Sequence, residues 1–202
     1  MNKLKEMRGN RRLLCAAALL ALFAVQLVMH MNCDNLILDD WVFRDATEGG
    51  ASIASFLAMR WHTWSSRLLI EGLLCVTTKS IWLWRVLDSL AKVLLAFSLC
   101  RLANAEKRPE MLGLAALLAT GIPFAILRST GWQATSLNYD VPLACAAMAC
   151  IPLADALWKR KTPVGMAAAA LLCAVLGANQ EQTAALLFGA HLVLGAALIM
   201  RD

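Results

Sequence analysis

Apolar stretches of 16 to 21 residues recur along this chain, separated by short polar breaks. At 1.5 Å per residue, about 20 apolar residues carry a helix across the hydrocarbon core of a bilayer. No water reaches the backbone there, so each stretch has to bond its own N–H and C=O groups as a helix. The pattern predicts an all-α fold, a polytopic membrane helical bundle of about six transmembrane helices in one domain, 1–202. The spans fall at about 13–31, 81–103, 111–127, 141–158, 163–178 and 183–200. Composition agrees: 60% of residues are hydrophobic and 16% charged, where a soluble domain is nearer half apolar and a quarter charged.

Charge sets the expected orientation. With the N-terminus inside, the inner segments hold 12 of the 19 Lys and Arg residues, among them Lys3, Lys5, Arg8, Arg11 and Arg12, the 159–161 triplet and Arg201. The outer segments hold five, although they are longer, which is the positive-inside pattern. The first span is too long for a cleaved signal and lacks a small-x-small cleavage site, so it reads as a signal anchor. The net charge of +5 sits beside the spans, not in a basic patch with interleaved aromatics, so nucleic acid is excluded as a partner. The surroundings implied are membrane lipids.

The outer loop 32–80 is the longest segment outside the spans, with six acids including Asp34, Asp39, Asp40 and Glu71. Within it, 65–78 is expected to form a short amphipathic helix in the membrane interface, with Leu69, Leu73 and Val76 on one side and Arg67 and Glu71 four apart on another. The third span is expected to kink near Gly121 and Pro123. The segment 128–139, RSTGWQATSLNY, is expected to be a polar loop. Seven cysteines show no metal-ligand spacing. Cys33 and Cys75 could pair in an oxidising outer compartment, or remain two thiols.

Three polar clusters then share the outer face: Asp39–Asp40–Trp41, the loop with Trp132, Asn138 and Tyr139, and the turn with Asn179 and Glu181. Amides, aromatics and carboxylates beside one another suit a sugar. Asp39 and Asp40 are the candidate catalytic acids, as general base toward a hydroxyl or, alternatively, as ligands for a divalent cation. A solvated acidic loop that only fixes topology is the plain alternative. Trp61 and Trp64 suit interfacial anchoring or substrate contact. Arg67, and with it Arg60, could hold phosphate oxygens through the guanidinium fork. Arg85, Asp88 and Lys92 share one face of the second span, as a mutual network or as part of a polar pocket.

In this order and on this common side, the motifs resemble those of the bacterial GT-C type glycosyltransferases, in their O-antigen-glucosyltransferase-like and uncharacterised branches. Asp39-Asp40-Trp41 matches an outer Asp-Asp-aromatic element. Trp61, Trp64, Ser65 and Arg67 match a Trp-x-x-Trp-Ser-x-Arg stretch, with Ser66 where many members have Gly. Gly131, Asn138 and Tyr139, and then Asn179 and Glu181, match two later elements. The resemblance implies a bacterial inner-membrane enzyme with its N-terminus in the cytoplasm. Such an enzyme moves a sugar from a polyprenyl-phosphate donor to an envelope glycan or lipid acceptor by a single inverting displacement. Asp39 or Asp40 would be the base, Arg67 would meet the lipid phosphate, and Trp61, Trp64, Trp132, Asn138, Tyr139, Asn179 and Glu181 would line the substrate site. Family members have more spans and run longer. The chain is thus expected to be an N-terminal portion, to need a partner subunit, or to be an inactive truncated homologue. The rival expectation is a transporter or flippase subunit for lipid-linked sugars, using the charges of the second span.

Overall fold

A computed structural model of the chain describes residues 2–33, 36–48, 50–121, 126 and 128–201, with side chains from Asn10 onward. It is all-helical among those residues. The elements are α1 (Asn2–His30), α2 (Asp39–Glu48), α3 (Ile53–Thr63), α4 (Leu68–Thr77), α5 (Ile81–Leu102), α6 (Pro109–Thr120), α7 (Trp132–Leu157), α8 (Val164–Gly177) and α9 (Glu181–Ile199). Three helical stretches are long and apolar enough to cross a membrane: Asn10–His30, Trp132–Leu157 and Glu181–Ile199. α5 has the length, but Arg85, Asp88, Lys92 and Arg101 interrupt its apolar character. α6 and α8, at 12 and 14 residues, are apolar but shorter than the predicted spans. The kink expected at Pro123, the end of the third span at Leu127, and Asp34 lie outside the described residues.

α7 is the central helix. Ala91 and Leu95 of α5 pack on Ala144, while Ala146, Ala149 and Cys150 pack on Leu187 of α9 and Ala174 of α8. On the far side of α5, Cys15 and Leu22 of α1 meet Ala96, Cys100, Leu112, Ala115 and Ala119. Small residues permit these close approaches. A Cβ on Gly177 would lie 3.1 Å from the Ala146 backbone nitrogen. The outer faces of α8 and α9 stay apolar and uncovered, with Leu171, Leu172, Phe188 and Val193 each more than 60% exposed. Water tolerates no such continuous apolar surface well, whereas lipid does.

Neighbouring contacts fix the direction of each helix. His30 meets Asp88 while Cys15 lies near Cys100, so α1 and α5 are antiparallel. Lys92 meets Asp140 and Arg101 meets Asp155, so α5 and α7 run the same way. One end of the bundle therefore gathers His30, Asp39, Trp132 and Glu181. The other gathers Arg11, Arg101, Asp155 and Arg201.

The charges of α5 are not a network among themselves, as one reading of their spacing had it. Each reaches another helix or loop. Arg85 donates to the Cys33 carbonyl at 3.0 Å, Asp88 bonds His30 Nε2 at 2.7 Å, and Lys92 Nζ bonds Asp140 at 2.5 Å. Each buried charge thereby has a hydrogen-bonding partner to offset part of its desolvation. Cys75 is a buried free thiol, so the Cys33–Cys75 pairing is not made.

Breaking the Lys92–Asp140 pair from one side leaves a buried charge alone. Lys92→Met is expected to lower stability by about 3–5 kcal/mol. The double variant Lys92→Met/Asp140→Leu should recover most of that loss. The unfolding midpoint of the detergent-solubilised chain checks both.

Candidate functional site

Three short helices, α2 to α4, cover one end of the bundle where a single amphipathic helix was expected. Phe43, Phe56, Ile70 and Leu74 form their small core and pack on Ala134 and Leu137 of α7. The segment 128–139 is a loop only to Gly131, because α7 begins at Trp132. The reason lies in α2. The Asp40 carboxylate is fully buried and accepts the Gln133 and Ala134 backbone N–H groups through Oδ1, at 3.1 and 2.8 Å. It thus supplies, from a distant part of the chain, the N-terminal cap that the first turn needs. Its Oδ2 accepts the Ile37 N–H at 3.3 Å, and the Asp39 N–H donates to the Thr130 carbonyl at 2.8 Å.

Gly131 makes room for this cap. Its φ of +142° is a region L side chains rarely adopt, and a Cβ there would sit 2.6 Å from Asp40 Oδ1. Burial pushes the Asp40 carboxyl up from the usual range, and the backbone N–H groups of Ala134, Ile37 and Gln133 pull against it. Asp40 is occupied and dry, so the paired aspartates divide: Asp40 holds the fold, and Asp39 faces solvent.

Within the first three turns of α7, Pro142 has no N–H and its ring crowds the carbonyl four residues back. The helix widens there into a π-turn over Ser136–Asp140, in which the Val141 N–H bonds the Ser136 carbonyl. Such single-turn bulges re-aim side chains and recur at functional sites. This one presents Asn138 and Tyr139 toward the covering helices.

The result is a cavity of about 180 Å³ lined by Asp39, Phe43, Arg60, Trp64, Ser65, Arg67, Glu71, Thr130, Ala134, Asn138, Tyr139 and Glu181. Six of the ten candidate catalytic and substrate-site residues meet in it, from four separate segments: Asp39, Trp64, Arg67, Asn138, Tyr139 and Glu181; Arg60 and Ser65, also picked out from the sequence, line it too. Four do not line it. Asp40 lies beneath it. Trp61 lines a separate apolar groove with Leu57, His62 and Leu68. Trp132 is half-buried in the first turn of α7. Asn179 accepts the Ile70 N–H at 3.0 Å and so caps α4. Glu71 was missed as a site residue. Its signal was a carboxylate inside the otherwise apolar run LLIEGLLCVT.

Charge in the cavity is nearly balanced by pairing. Arg60 grips Glu71 through two hydrogen bonds of 2.8 Å and stands 5.9 Å from the ring centres of Phe43, Phe56 and Trp64. The Glu71 hydrogen bond raises the Arg60 pKa, burial opposes it, and the Glu71 and Asp39 charges add to the rise. Arg67 pairs with Glu181 at 2.7 Å and also donates to Asn138 Oδ1 at 3.1 Å. Arg67 and Glu71, expected four apart on one helix side, thus each pair with another segment. Asp39 makes no side-chain hydrogen bond or ion pair among the described residues, which leaves one unengaged carboxylate at the cavity. No group of three His, Cys, Asp or Glu side chains converges as a metal-ligand set among the described residues. No protein-family model, curated protein or solved structure matches the chain.

Asp40→Ala strands two buried N–H groups and is expected to cost about 1–3 kcal/mol. Asp40→Asn keeps an acceptor oxygen and should cost less than half as much. Gly131→Ala should resemble Asp40→Ala. Hydrogen exchange at residues 133 and 134, with the unfolding midpoint, reads out all three.

Proposed function

We propose that the chain is a membrane glycosyltransferase of the GT-C type, or the sugar-transferring portion of one. It moves a sugar from a polyprenyl-phosphate donor to an envelope glycan or lipid. The observation that carries this reading is the meeting of Asp39, Arg67, Trp64, Asn138, Tyr139 and Glu181 at one cavity. In this reading six helices span the bacterial inner membrane with the N-terminus in the cytoplasm, the cavity opens outward, and α4 lies in the interface. The exposed apolar Leu69 and Val76 of α4 support the last point.

The chemistry follows from the pairing. Asp39 accepts the proton of the acceptor hydroxyl as its oxygen bonds the anomeric carbon. The bond from that carbon to the phosphate oxygen breaks, and the polyprenyl phosphate leaves with the electron pair. Arg67 is the cation able to meet that phosphate, because its pair with Glu181 is open to solvent, with 32% and 55% side-chain exposure. Such a pair is worth only about 0–1 kcal/mol, so the donor's phosphate, singly charged as a diester and more highly charged once the sugar has left, can displace Glu181 and free it for sugar hydroxyls. Arg60, held by Glu71 and surrounded by rings, keeps the cavity wall in place. Trp64 offers a face on which a sugar ring can stack.

The transporter reading draws on a different feature, the dry His30–Asp88 and Lys92–Asp140 pairs, with Asp88 Oδ1 buried and unbonded. It requires mid-membrane charge and tolerates loss of the cavity carboxylate. Asp39→Asn is expected to reduce sugar transfer by at least about 100-fold while the chain inserts normally. Asp88→Ala tests the rival in the same envelope-glycan assay. Full transfer by Asp39→Asn would remove the enzymatic reading, and loss of transfer in Asp88→Ala alone would favour transport.

A further inference from the structure

A basic cluster lies away from the cavity above, at the opposite end of the bundle. A hollow of about 490 Å³ opens there between the start of α1 and the turn joining α5 to α6, lined by Arg11, Arg12, Cys15, Glu106 and Lys107. Its one acid is already engaged. Arg160 hydrogen-bonds both Glu106 oxygens, and Arg101 stands 3.7 Å away. Burial pushes the Glu106 carboxyl up, but the Arg160 hydrogen bond, a backbone hydrogen bond and the Arg160 and Arg101 charges outweigh it and hold the carboxyl below its ordinary range. Arg11, Arg12 and Lys107 make no ion pair or side-chain hydrogen bond among the described residues. Three exposed cations thus border one hollow whose only lining carboxylate, Glu106, is already paired, with the exposed Glu110 as the further acid acting on Cys15.

The helices that flank the hollow turn apolar and exposed immediately beyond it. α1 presents Leu13, Leu14 and Leu20, and α6 presents Leu114, Leu117 and Leu118, each at least 50% exposed. A ligand matched to this surface carries an anionic head beside the cations and long apolar chains along the two helices. Soluble phosphate matches only the first half. We propose that this hollow binds the phosphate headgroup of an anionic membrane lipid, with Arg11, Arg12 and Lys107 as the headgroup contacts. Basic pockets between membrane helices attract such headgroups, and the planar guanidinium forks of Arg11 and Arg12 suit two phosphate oxygens each. The site is separate from the Asp39 cavity and holds whether or not the chain transfers sugar.

The test uses the full chain in an uncharged detergent, titrated in turn with short-chain phosphatidylglycerol, short-chain phosphatidylcholine and inorganic phosphate, with native mass spectrometry counting retained molecules. One phosphatidylglycerol is expected to bind, and Arg11→Gln/Lys107→Gln should weaken it about 30-fold, Lys107→Gln alone about fivefold. Both side chains are exposed and unpaired, so the helical content of the variants should match the parent by circular dichroism. Should the double variant fail to insert, the single variant decides. Equal phosphatidylglycerol affinity in parent and variants would overturn the proposal, as would equal binding of phosphatidylcholine. Inorganic phosphate binding as tightly as phosphatidylglycerol would reassign the hollow to a soluble anion and overturn the lipid.

Discussion

The Asp40 carboxylate beneath the first turn of α7 is the interaction on which the cavity depends. It joins two segments 93 residues apart in the chain. One of them ends in the cavity carboxylate of Asp39, and the other leads into the π-turn that aims Asn138 and Tyr139. Because the cap is buried, with backbone donors on both its oxygens, the two segments cannot shift relative to each other without leaving polar groups dry and unbonded. Gly131 is part of the same constraint, since any side chain there occupies the space of the cap.

A second layer of constraint comes from the ion pairs. Arg60 with Glu71 ties α3 to α4, and Arg67 with Glu181 ties the start of α4 to the start of α9. The two pairs differ in kind. The first is mostly buried, forked and surrounded by aromatic rings, so it behaves as structure. The second is open to solvent, so its partners can exchange for a ligand at little loss. Asp39 belongs to neither. A cavity in which every charge but one is satisfied directs attention to that one, and the same argument removes Asp40, whose burial and bonds leave nothing for a substrate.

The apolar helices outside the loop 32–80 were legible in the sequence because bilayer thickness and helical rise impose a length on apolar runs, and that signal is local. The start of α7 was not. Its first residues, with Gln133, Thr135 and Ser136, look like a loop until Asp40 is placed against them. The charges of α5 illustrate the same limit. Spacing puts Arg85, Asp88 and Lys92 on one face, yet their partners Cys33, His30 and Asp140 come from elsewhere in the chain. The amphipathic reading of α4 failed on one residue, Glu71, which belongs inside because Arg60 of another helix meets it. Wherever a polar residue's state depended on a distant partner, local pattern gave its position along the helix but not its neighbour.

The two ends of the bundle solve opposite electrostatic problems. At the Asp39 end each arginine that lines the cavity has a carboxylate partner, so the local field is weak and a single acid stands out against it. At the Arg11 end Asp155 and Glu106 are consumed by Arg101 and Arg160, and Arg11, Arg12 and Lys107 make no ion pair among the described residues. A membrane chain needs excess positive charge on one side to set its orientation, but orientation alone places no demand on where those cations point. Here three of them border one hollow, with apolar helix faces running on from it. An amphiphile with a negative head satisfies both surfaces at once, and neither water nor a small ion does.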